Sequence, residues 1–146
     1  MTPDGISDDD WDRVHELAVD IVNAGEGEES IALTGALLAY MDRLEEKYGQ
    51  LPSIVATRAD YVEDPLERLA LLEHAYGLAL EQSDRKNLVL VASSLVSLHI
   101  ETVRDADQAE RWLRALQEAL KYSGDDSDIR EYERLSGAVE RLRGSE

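Results

Sequence analysis

The sequence predicts an all-α domain of about seven helices, and three observations carry that prediction. Apolar residues recur at i, i+3, i+4 and i+7 over most of the chain. Nothing alternates with period two for more than four residues, and the 3 prolines and 9 glycines fall almost wholly between the periodic segments. With 146 residues, 43% of them hydrophobic, the chain has the size and apolar content of one domain with one core. Residues 1–146 therefore read as a single helical domain, with frayed or disordered ends at about 1–6 and 144–146.

Trp11, Val14, Leu17, Ala18, Ile21 and Val22 keep helical spacing. Ser7 stands where an N-cap is favoured, and Asp8, Asp9 and Asp10 stand where the helix dipole favours carboxylates. The first helix thus runs from about Ser7 to Asn23, and Ala24-Gly25-Glu26-Gly27 breaks it. Ile31, Leu33, Leu37, Tyr40, Leu44 and Tyr48 mark a second helix that ends at Gly49. Leu51-Pro52 opens a short third one. Asp64-Pro65-Leu66-Glu67 joins a capping residue, a first-turn proline and a glutamate at N3, so the fourth helix begins there and continues to about Ser83. The fifth spans Leu88 to Val103. Its opening, Leu88-Val89-Leu90-Val91, also suits a buried strand, but Leu88, Val91, Ala92, Leu95, Leu98, His99 and Thr102 hold helical period for four turns. Apolar residues on more than one face make it the central helix. Asp105 and Gln108 cap a sixth, to Tyr122; Ser123-Gly124-Asp125 stops it, and a last helix covers about Asp128 to Arg143.

Lys and Arg number 15 against 32 Asp and Glu, a formal net charge of −17. Such a surface repels phosphate backbones and anionic lipid, so neither nucleic acid nor a membrane is expected as a partner; a basic protein or peptide is. Residues 1–73 hold 18 acidic side chains and 5 basic ones, and Asp8, Asp9, Asp10, Glu26, Glu28 and Glu29 are the candidate acidic patch. Adaptation to salt is the competing explanation, since only Lys47, Lys86 and Lys121 are lysines. The absence of cysteine excludes disulfides and thiol chemistry. The aspartate-rich N-terminus is unlike a signal peptide, and the longest apolar run, Leu88 to Ile100, is too short to span a bilayer. A cytoplasmic protein is expected, with homo-oligomers left open.

No constellation suggests catalysis, so the chain is read as a non-enzyme without cofactor or metal. His15, His74 and His99 fall on three different helices, each at a surface or core edge, and no HExxH pair is present. Asp8-x-Asp10-x-Asp12 begins like a calcium loop, but Arg13 stands where the turn glycine belongs and Val19 where the bidentate glutamate belongs. Gly25-Glu26-Gly27 follows no strand and sets carboxylates where a phosphate would sit. Ser93, Ser94 and Ser97 fit close helix crossings better than a nucleophile site. Paired carboxylates such as Glu45-Glu46 are expected to be exposed and uncoupled.

One internal repeat is present. Ala39-Tyr40-x-x-Arg43-Leu44, Ala75-Tyr76-x-x-Ala79-Leu80 and Ala115-Leu116-x-x-Ala119-Leu120 align at offsets of 36 and 40 residues, placing one face on every second helix. Tyr76 with Ala79, and bulky-small pairs such as Leu17-Ala18 and Val91-Ala92, resemble the tetratricopeptide-repeat pattern over roughly residues 10–122. The offsets exceed that family's period of about 34, no glycine follows the first-helix bulky residue, and no proline closes a repeat. An irregular helical bundle meets the same pattern. The resemblance implies stacked antiparallel helix pairs forming an α-α superhelix, with the last helix as a cap. It also implies a groove lined by the first helices, whose candidate partner-binding residues are Asp12, His15, Ser53, Asp60, Lys86, Val89 and Ser93. The family's carboxylate clamp is not reproduced. The expected function is a scaffold or adaptor that binds a peptide or helix of a partner; the alternative is an acidic inhibitor or immunity protein that neutralises a basic toxin or nuclease.

Overall fold

Five of the seven helix starts in this protein follow from an N-cap side chain that satisfies a free N–H group of the first turn. In the computed structural model, which describes residues 1–145, Ser7, Asp64, Asp84, Asp105 and Asp125 each accept a hydrogen bond from a backbone N–H of the turn that follows. The resulting elements are α1 (Asp8–Ala24), α2 (Glu28–Tyr48), α3 (Pro52–Asp60), α4 (Pro65–Glu81), α5 (Arg85–Leu98), α6 (Ala106–Ser123) and α7 (Asp126–Gly144), with no strand among the described residues. Two starts come earlier than expected. Asp84 caps α5 through the Asn87 N–H at 3.2 Å, and Asp125 forms a reciprocal capping box with Asp128, so the helices open at Arg85 and Asp126. The fifth helix also changes character at its end: His99–Val103 form a π-helical turn, closed by Arg104 in the left-handed region at φ 61°. Between α1 and α2 the chain reverses through Gly25 (φ 71°) and Gly27 (φ 131°), conformations that side chains with a Cβ resist.

Consecutive helices joined by such short turns pack side by side as the neighbouring pairs α1/α2, α3/α4 and α5/α6, with α7 laid on α6 and α5. The apolar residues divide into two clusters. The smaller joins Val14 and Leu17 of α1 to Leu37, Met41 and Leu44 of α2; the larger runs from α3 to α7 around Ala75, Leu95, Val96, Leu116 and Leu135. Short α3 links them, giving Ile54 to the first cluster and Val55 to the second. As expected for the central element, α5 packs on α4 and α6, touches α3 and α7, and buries seven of its residues.

Three sequence expectations need correction. Residues 1–6 belong to the folded body: Ile6 is fully buried, and the Asp4 carboxylate accepts hydrogen bonds from the Ser53 N–H (2.7 Å) and hydroxyl (2.8 Å) at the start of α3. At the other end α7 continues to Gly144, and the Ser145 hydroxyl donates to the Leu142 carbonyl; of the expected frayed end only Glu146 lies outside the described residues. Val22 and Ile31, placed by periodicity on helix-marking apolar faces, are 79% and 73% exposed, because the distal end of the α1–α2 hairpin has little packed against it.

Candidate functional site

The third, fifth and seventh helices line a common cleft. This cleft of about 520 Å³ lies between Ala59 and Asp60 of α3, Leu90, Ser93, Ser94 and Ser97 of α5, Glu101 and Thr102 of the π turn, and Ser127, Asp128 and Glu131 of α7, with Arg68 and Leu72 of α4 closing one side. A smaller cavity of about 230 Å³, the narrow arm, shares Asp60, Leu90 and Ser94 as wall residues and also borders Ala56, Thr57 and Trp11 of α1. Helical spacing explains the floor. Leu90, Ser94, Ser97 and Glu101 follow one another at i, i+4, i+7 and i+11 on a face of α5 that neither α4 nor α6 covers, so a leucine here is left 59% exposed.

The rim is mainly acidic. Protein surrounding the Asp60 side chain raises its pKa above the ordinary carboxylate value, and the positive charge of Arg68 opposes that rise. The Arg68 Nε donates to the Val62 carbonyl at 2.5 Å, which fixes the guanidinium at the edge of the cleft. Glu131 is held in an ion pair by Arg134 at 2.6 Å. Asp128 is engaged in the α7 capping box. Asp60 and Glu101 are in none of the ion pairs formed among the described residues.

The expected groove residues separate into three places. Asp60, Val89 and Ser93 line the main cleft, although Val89 is only 4% exposed and serves as floor. Ser53 borders the narrow arm, yet its hydroxyl and N–H are both occupied by Asp4, so its role is structural. Lys86 lies outside the groove in a depression with Pro3, Asp4 and Gly5. Asp12 and His15 sit on a separate open face of α1 with Glu16, Val19 and Asp20, where His15 packs edge-on against Trp11 at 5.9 Å. Sequence reasoning missed Leu90, Ser94 and Glu101. Their common period along the third face of the fifth helix was the available signal. Ser93 and Ser97 are half-buried and Ser94 is exposed, all three along the cleft rather than at a helix crossing.

The acidic patch is divided as well. Asp8, Asp9 and Asp10 open α1, whereas Glu26, Glu28 and Glu29 lie past its far end, about 25 Å away along a helix of this length. Asp10 is turned inward: its carboxylate takes Lys47 at 2.7 Å and the Tyr48 hydroxyl at 2.5 Å, and these partners hold its pKa at about 2. Glu45, expected to be uncoupled, pairs with Arg58 at 2.9 Å. His15 and His74 are exposed, while His99 is only 4% exposed and neither ring nitrogen has a hydrogen-bond partner. Among the described residues no three His, Asp or Glu side chains are grouped to hold a metal ion, and no helix is long and apolar enough to cross a membrane. No protein-family model, curated protein or solved structure matches the chain.

Proposed function

We propose that this protein is a non-catalytic protein–protein interaction module, a tetratricopeptide-like scaffold or adaptor of the cytoplasm that holds a basic peptide or helix of a partner in its first-helix groove. The observation that carries the reading is the cleft that α3, α5 and α7 line together. It places an exposed leucine between α3, α5 and α7 with carboxylates along its edge, and a smaller cavity beside it shares Asp60, Leu90 and Ser94 and reaches Trp11 of α1. An apolar anchor point whose rim carries Asp60, Glu101, Asp128 and Glu131 against the single Arg68 suits a ligand that buries a hydrophobic side chain and presents Lys or Arg around it. The inhibitor reading draws less support, because its six carboxylates occupy two ends of a helix and Asp10 is already neutralised by Lys47.

Selection of peptides from a random library against the immobilised protein tests this. Enrichment of sequences with Lys or Arg flanking an apolar residue is expected, and Leu90→Arg should reduce their affinity at least about tenfold while leaving the helical circular dichroism unchanged. Absence of enrichment, or indifference to Leu90→Arg, would remove the groove from consideration.

A further inference from the structure

The distal half of the α1–α2 hairpin presents a helix face with no third helix packed along it. Trp11, His15, Val19 and Val22 follow one another along one side of α1 over three turns, about 16 Å of helix. Val19 is 56% and Val22 79% exposed, whereas Trp11 at the proximal end is half-buried. Beside this stripe runs a second row, Asp12, Glu16 and Asp20, at four-residue steps of about 6 Å. The chain from Val14 to Asp42 contains six carboxylates and no Lys or Arg. Among the described residues Asp12, Asp20, Glu26, Glu28 and Glu29 enter no ion pair, and Glu16 meets only Arg13 from its own helix.

We infer that this face of α1 docks a basic amphipathic helix of a partner protein, with the partner's apolar stripe over Val19 and Val22 and its Lys and Arg side chains against Asp12, Glu16 and Asp20. Charge selects among the occupants. A second copy would bring the same unneutralised carboxylates face to face, and an anionic membrane would be repelled. Hydrogen bonding selects the conformation: a helix face offers no free backbone groups, so an extended peptide laid on it would gain no backbone partners, whereas a helix satisfies its own. Lys or Arg at every fourth residue of such a helix repeats at the spacing of the acidic row. Docking turns the two-helix layer into a three-helix one and takes two exposed valines out of water. This surface meets the groove only at Trp11, while Val19, Val22 and the acidic row lie apart from it, so the two can fail separately.

The test uses the full chain and a designed peptide helix with leucines at i, i+3, i+4 and i+7 and lysines on both flanks. A scrambled peptide of the same composition is the control, and binding is followed by fluorescence anisotropy. The patterned peptide should bind and the scrambled one should bind far more weakly, with affinity falling as salt is raised. Val19→Ser with Val22→Ser should weaken binding at least about tenfold without altering circular dichroism, since both side chains are exposed. Leu90→Arg should leave it unchanged. Equal binding of the scrambled peptide, no binding of either, or loss with Leu90→Arg but not with the valine pair would overturn the proposal. So would sedimentation showing that the wild-type chain dimerises and the valine variant does not, which would assign the face to a second copy.

Discussion

His99 carries a buried imidazole whose two nitrogens lack hydrogen-bond partners, at the start of the π turn that ends α5. Burial lowers its pKa below the ordinary value; Asp105 and Glu73 pull upward, and Arg111 adds to the lowering. Because the folded-state pKa is depressed, the unfolded chain takes up the proton first as the medium is acidified. The contribution of neutral His99 is therefore complete above the ordinary histidine value near 6.5 and is lost as pH falls from there through the folded-state value. The urea midpoint should decline over that range. His99→Leu, which removes both orphan nitrogens, should flatten that part of the decline and leave stability at neutral pH equal or higher. An unchanged pH slope in the variant would place the titrating group elsewhere. The sequence distinguished none of this: His99 fits the helical period like its apolar neighbours, and only packing separates it from the exposed His15 and His74.

At the scale of elements, α3 is the informative case. Nine residues are too few for a stable isolated helix. It persists because Pro52, Ser53, Ile54, Val55 and Ala59 are buried between two apolar clusters, and because Asp4 supplies a cap that its own N-cap residue, Leu51, cannot. Asp4→Ala should lower stability by about 1 kcal/mol, within the usual range for a lost cap, and should release the Ile6 segment to faster amide exchange. An unchanged urea midpoint would show that the cap contributes nothing. Helix positions were legible in the sequence because period and local caps are local signals, as Asp64-Pro65-Leu66-Glu67 and Asp105 with Gln108 illustrate. The cap from Asp4 was not legible because it crosses 49 positions of sequence. Nor was the π turn, since its residues obey the same apolar spacing as the α-helix they follow.

For the whole molecule, net charge and seven-helix organisation were legible, but the placement of charge was not. Carboxylates adjacent in composition part company in three dimensions: Asp10 is neutralised by Lys47, Glu45 by Arg58, and Asp60 stands at the groove edge with a raised pKa. Of the seven residues that the sequence suggested for a groove, Asp60, Val89 and Ser93 line the cleft. The face of α5 that lines the cleft was not legible, because deciding which third of α5 stays uncovered requires knowing how α4, α6 and α7 pack on it. The proposed function requires this face to receive the partner. Amide chemical shifts of the isotope-labelled protein, recorded as a library-selected basic peptide is added, test it most directly. Shifts are expected to concentrate at Asp60, Leu90, Ser93, Ser97 and Glu101 and to extend to the start of α7. Shifts confined to α2, α4 and α6, or none at saturating peptide, would contradict it.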